Sequence, residues 1–119
     1  MIETEVVARD STIGRLNDRC RQGLDRTARI VVTSTCLASL SDDTTGSRVL
    51  AHAQLLRGLR QCDFDPRDAE RSRGRFTVQG VEVHFTIDYY DTTLEWGSED
   101  PADASVTTRV LTLMLREDL

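Results

Sequence analysis

The chain has 119 residues, 39% of them hydrophobic and only six of them aromatic, which is material for one domain with a modest core and too little for a large apolar cofactor cavity. Its net charge of −5 is built with 15 arginines and no lysine, and no apolar run approaches the roughly 18 residues that a bilayer span requires. A bulky-cofactor enzyme and a membrane-spanning protein are therefore not expected, and because Met1-Ile2-Glu3-Thr4-Glu5 lacks the basic-then-apolar layout of a signal peptide, a cytoplasmic location is.

Asp10 or Ser11 is able to cap a first helix, along which Ile13, Leu16, Cys20 and Leu24 recur at helical spacing and which Gly23 would stop. The β-branched run Arg29 to Thr35 predicts a short buried strand, and its apolar character favours an inner place in a sheet. Ser41 to Gly46 is loop chemistry that also offers caps to a second helix, from about Ser47 to Gln61, with Val49, Ala53, Leu56 and Leu59 or Arg60 along one side. From Asp63 to Arg75 the chain is almost wholly charged and contains Asp65-Pro66, which predicts a solvated, mobile loop.

The clearest local signal follows. Phe76 and Val78 precede Gln79-Gly80, and Val81, Val83, Phe85, Ile87 and Tyr89 then alternate strictly with Glu82, His84, Thr86 and Asp88. A two-residue turn at Gln79-Gly80 pairs Val78 with Val81 and Phe76 with Val83, putting the apolar side chains on one face. An acidic loop then leads to Ala104, and Thr107 to Leu115 reads as a strand in preference to a buried helix, because Thr and Val dominate its start. Cys20, Cys36 and Cys62 are odd in number and far apart, which fits reduced, buried thiols better than a disulfide framework or a zinc site.

Charge is unevenly placed. Residues 1–75 hold 13 Arg against 11 Asp and Glu, a net of +2, whereas residues 76–119 hold 2 Arg against 9 Asp and Glu, a net of −7. No Lys or Arg lies between Phe76 and Thr108, so that segment carries a negative field.

Within it, Ile87-Asp88-Tyr89-Tyr90-Asp91, then Gly97-Ser98-Glu99-Asp100-Pro101-Ala102-Asp103 and Thr107-Thr108-Arg109-Val110-Leu111-Thr112, resemble the C-terminal signature of the bacterial domain-of-unknown-function family 3768. The match is good over about the last 35 residues and looser at Leu16-Asn17-Asp18 and Ile30 to Thr33. The resemblance implies small proteins of plasmids and other mobile elements, and no activity. The family's middle runs from an Asp-Pro stretch through Gly-Glu-His-Asp-Phe-Gly, whereas here Asp65-Pro66 leads through Arg67 to Gly74 without the His or the second Asp. Any chemistry that relatives perform with that His is implied to be absent here.

The carboxylates of Asp88, Asp91, Glu99, Asp100 and Asp103 are hard oxygen ligands of the kind Mg²⁺ or Ca²⁺ takes, but their spacing matches no calcium loop. Turn building explains much of the same composition: Asp91 starts turns, Ser98 or Asp100 caps, and Pro101 opens a helical turn. His52 lies in the second helix pattern and His84 on the polar face of a strand, with no nucleophile motif near either, so no catalytic, cofactor or metal residue is assigned. Arg109, the one cation beside the acidic loop, is expected to support it through a forked salt bridge to Asp88, Asp91 or Asp103.

Together these readings predict an α+β domain spanning residues 1–119, with an antiparallel sheet of about four strands and two helices packed on one face, in the order α, β, α, β, β, β. The apolar side of the hairpin is expected to meet Leu16, Val49, Ala53 and Leu56. The function expected first is that of a small acidic, non-enzymatic interaction protein, as in mobile-element inhibitors of CRISPR or restriction machinery. It would meet a basic, nucleic-acid-binding protein surface through Asp88, Tyr90, Asp91, Glu95, Glu99, Asp100 and Asp103, without touching nucleic acid or membrane itself. The alternative is a metal-dependent enzyme acting on nucleotides or nucleic acid through the Asp88 to Asp103 carboxylates.

Overall fold

A computed structural model describes residues 2–119 and is α+β. In chain order the elements are α1 (Ile2–Arg21), β1 (Arg29–Val32), α2 (Ser34–Leu40), α3 (Thr45–Gln61), β2 (Arg73–Val78), β3 (Val81–Tyr90) and β4 (Thr108–Leu115), with single 3-10 turns at Ala104–Val106 and Arg116–Asp118. The strands form one sheet in the order β1-β4-β3-β2.

The hairpin has the expected register. Val78 faces Val81 and Phe76 faces Val83 across β2 and β3, and both turn residues have positive φ, 52° at Gln79 and 76° at Gly80. That conformation costs Gly80 little but is uncommon for glutamine. The Gln79 side chain offsets the cost by donating to the Leu40 carbonyl at 3.2 Å and to Gln54 Oε1 at 2.7 Å, which ties the turn to α2 and α3. Thr108–Leu115 is a strand, antiparallel to β3.

The sheet is mixed, not antiparallel throughout: β1 runs parallel to β4, with Ile30 beside Leu111 and Val32 beside Leu113. The strand expected inside the sheet lies instead at its edge, where Arg29 and Val31 are exposed and Ile30 and Val32 turn towards the core. It is also shorter than predicted, because Thr33 caps a helix: its Oγ1 accepts from Cys36 N at 3.2 Å, and Ser34–Leu40 coils as α2. The described residues thus form three α-helices where two were expected.

Two helix details also depart from expectation. α1 begins at Ile2, so Asp10 and Ser11 lie within it, and it ends as predicted at Gly23, whose φ of 77° lets Leu24 N reach the Arg19 carbonyl at 2.9 Å. On α3 the buried stripe is Ala51, Leu55 and Leu59, whereas Val49 and Ala53 face solvent and Leu56 is half-buried. Apolar residues surround this helix, so spacing alone does not select a face. Close approach does, because a β-carbon at Gly58 would come within 2.4 Å of the Phe76 ring.

The core lies between the three helices and one face of the sheet. Cys20, Cys36, Leu40 and the α3 stripe meet Val78, Val83, Phe85, Ile87, Leu111 and Leu113. The opposite face of the sheet bears Glu82, His84, Thr86, Asp88 and Tyr90 from β3, with Met114 of β4 beside His84. Cys62 is half-buried, unlike the other two cysteines, and all three are free thiols. Among the described residues no helix is long and apolar enough to cross a membrane.

Candidate interaction surface

The acidic segment follows β3 as two linked turns. In the first, the Asp91 carboxylate is spent on the backbone: Oδ1 accepts from Thr93 N at 3.1 Å, Thr93 Oγ1 at 2.8 Å and Glu95 N at 3.2 Å. The Thr93 hydroxyl accordingly leads the interactions that hold the Asp91 carboxyl below its ordinary range. The base of the turn closes with Asp91 N on the Trp96 carbonyl at 2.8 Å, Ser98 N on the Tyr89 carbonyl at 3.0 Å, and a bridge between Tyr90 and Gly97.

The second turn is built the same way. Asp103 Oδ1 accepts from Ser105 N at 2.9 Å and Ser105 Oγ at 2.6 Å, capping the Ala104–Val106 turn, and the Ser105 hydroxyl leads the interactions that lower the Asp103 carboxyl. Asp100 Oδ1 accepts from Ala102 N at 3.2 Å and pairs with Arg9 of α1 at 3.1 Å. Ser98 and Thr107 share a hydroxyl hydrogen bond of 2.6 Å, and Thr107 Oγ1 donates to the Asp100 carbonyl at 2.9 Å.

The seven candidates therefore fall into three groups. Asp88 and Tyr90 sit on the sheet face away from the core, opposite Val110 and Thr108 of β4. Asp91, Glu95 and Glu99 belong to the loop beyond β3, and Asp91 and Glu99 line one groove there. Asp100 turns towards α1, while Asp103 caps the short 3-10 turn. Among the described residues Asp88, Glu95 and Glu99 are exposed, and neither they nor Asp91 nor Asp103 forms an ion pair. Among those same residues no three His, Cys, Asp or Glu side chains are grouped so as to hold a metal ion.

Arg109 takes partners other than the carboxylates expected. Its Nε donates to Asn17 Oδ1 at 2.7 Å, its Nη2 donates to the Pro101 carbonyl, and its guanidinium lies 5.1 Å from the centre of the Tyr89 ring. Residue Arg109 is 1% exposed and Asn17 fully buried. Burial pushes the Arg109 pKa down, because the charged form is the one that loses hydration. Asn17 completes the unit by donating from Nδ2 to Tyr89 Oη at 2.8 Å and to the Glu70 carbonyl at 2.9 Å. The guanidinium thus joins α1, β3, β4 and the Pro101 turn.

Beside it, part of the segment expected to be a solvated, mobile loop is docked on α1, while Asp63 and Asp65 to Arg67 are exposed. Arg71 forks onto Asp18 through Nε at 2.9 Å and Nη2 at 3.0 Å, Arg21 reaches the same carboxylate at 2.8 Å, and Phe64 lies under Arg21 and against the edge of Phe85. Partial burial pushes the Asp18 carboxyl up, but the bonds from Arg71 and Arg21 outweigh it and leave the pKa lowered.

Trp96 was not among the residues singled out in the sequence, yet it is 74% exposed at the base of the first turn. It lines the Asp91 and Glu99 groove, an open space of about 330 Å³ that Thr92, Gly97, Ser105 and Val106 complete. The signal available was its position: the only tryptophan of the chain stands between acids in a segment built of turn residues.

These features describe an α+β protein with a mixed four-stranded sheet and a turn-built acidic end. The chain belongs to the family described as Protein of unknown function (DUF3768), whose model matches residues 33–118. No curated protein and no solved structure matches it.

Proposed function

We propose that the protein is a non-enzymatic interaction protein whose acidic end engages a basic, nucleic-acid-binding surface on a protein complex, in the manner of a mobile-element inhibitor of CRISPR or restriction machinery. The observation that carries this reading is the set of carboxylates on Asp88, Glu95 and Glu99, exposed and without ion pairs among the described residues, in a stretch with no Lys or Arg from Phe76 to Thr108. Turn building accounts for one oxygen of Asp91 and Asp103, but not for these three. Fixed negative charge of this kind steers association with a positive groove and repels nucleic acid.

The test is competition. The protein should bind a purified CRISPR effector or restriction complex, displace its nucleic acid, and lose affinity as salt rises. The variant Asp88→Asn/Glu95→Gln/Glu99→Gln leaves the turn hydrogen bonds in place and should bind at least tenfold more weakly at low salt, about 1.4 kcal/mol shared among three charges. Full affinity in that variant, checked as folded by its melting temperature, would refute the reading. So would tight binding of free DNA by the wild-type protein at physiological salt.

A further inference from the structure

We infer that the groove beside Trp96 receives an arginine side chain from that basic partner. The inference rests on the acidic-surface reading above and assigns its central contact. An indole that is 74% exposed leaves a large apolar surface in water, and a loop with few internal bonds would be free to fold it away. This loop is held: Asp91 braces it with three hydrogen bonds from Thr93 and Glu95, and the Trp96 carbonyl is fixed by Asp91 N at 2.8 Å. The indole is thus presented in place before any partner arrives, which lowers the ordering cost of binding.

The lining of the groove selects the occupant. Trp96 and Val106, the latter 41% exposed, provide apolar walls for an alkyl stem, while Asp91 and Glu99 bring carboxylates to the same space. Among the described residues no cation of this chain pairs with either carboxylate. A planar, weakly hydrated guanidinium is able to stack on an indole and donate to a carboxylate at once, whereas an ammonium is a compact, strongly hydrated charge that does the first poorly. A nucleic-acid base would also stack on Trp96, but its phosphates would face Asp91, Glu95 and Glu99. An arginine-bearing protein surface fits both the walls and the charge.

Because the chain has one tryptophan, its emission reports this groove alone. An arginine-rich peptide, a lysine-rich peptide of equal length and a single-stranded DNA oligonucleotide are titrated in turn, with binding followed independently by calorimetry. The expected result is a saturable change in Trp96 emission with the arginine peptide, weaker binding of the lysine peptide, and none of the DNA. Trp96→Ala, read by calorimetry, should lower arginine-peptide affinity about tenfold, with Trp96→Phe intermediate. If the arginine peptide binds in a salt-dependent way but leaves emission unchanged, and Trp96→Ala binds like the wild type, the groove assignment falls while the acidic-surface reading stands. Binding of neither peptide overturns both. Quenching by the DNA oligonucleotide overturns the choice of occupant.

Discussion

Arg109 is a charge in the interior with a carboxamide, a carbonyl and a ring for company, and its stability depends on Asn17. Asn17→Ala removes three hydrogen bonds at once and strands Arg109 Nε, Tyr89 Oη and the Glu70 carbonyl. A loss of about 3 kcal/mol is expected, since leaving buried groups unpaired costs more than an average hydrogen bond contributes. Urea denaturation measures it, and a loss under about 1 kcal/mol would mean that the unit is slack or reached by water. The thiols offer a second check at this scale. Burial pushes all three up, Cys20 to about 11 with Asp25 adding to it, so the order of modification follows access: a thiol reagent should modify half-buried Cys62 first and the other two only on unfolding. The buried thiols at Cys20 and Cys36 were legible in the chain, but the Arg109 unit was not: Asn17 sits in an ordinary helical pattern, and only the fold brings it to Arg109. Asp91 was legible as a turn builder because an Asx turn is local, made with the residue two positions on, whereas the cap at Asp103 was not singled out.

At the scale of elements, the hairpin was read correctly because strict alternation and a two-residue turn over-determine register. Val83→Asp or Phe85→Asp would bury a charge among Leu55, Leu113 and their neighbours, and should cost several kcal/mol, whereas Glu82→Ala, at an exposed position on the other face, should change stability by less than about 0.5 kcal/mol. Melting curves in which both faces respond alike would refute the register. β1 and α2 were misread because Thr33-Ser34-Thr35 suits a strand by propensity, and what decides against it is the Thr33 cap with its support from Asp118. The Asp118 carboxylate accepts from Thr35 Oγ1 at 2.7 Å and from Leu115 N at 2.9 Å, and the Thr35 bond leads the interactions that lower its pKa. A carboxylate lowered in the fold stabilises it fully above the ordinary value near 4, and that contribution fades as pH falls through the folded value. Melting temperature should therefore be flat from about pH 7 to 5 and fall below about 4, and Asp18→Asn, which loses its charge pairing with Arg71 and Arg21, should have a shallower acid fall.

For the whole molecule, the α+β class was legible from the alternation of patterns, and the mixed topology was not. Ile30 beside Leu111 is a parallel pairing between strands at opposite ends of the chain, and no local turn announces it. The uneven charge was legible, but which acids remain free depends on how the turns spend them. The strand order carries a further consequence, for the birth of the protein on the ribosome. β4 is translated last of the four strands yet lies between β1 and β3, so the earlier strands cannot close a sheet while it is still inside the exit tunnel. The β2–β3 hairpin is the one strand pairing open to the emerging chain, and a lone hairpin is marginal in water. A chain stopped before Thr108 should accordingly show no cooperative melt and little strand signal, where a folded remnant would mean that the helices and hairpin suffice. Until Leu111 and Leu113 arrive, the apolar faces of β1 and the hairpin have only the helices to cover them, so the nascent chain exposes apolar surface and unpaired strand edges until β4 emerges.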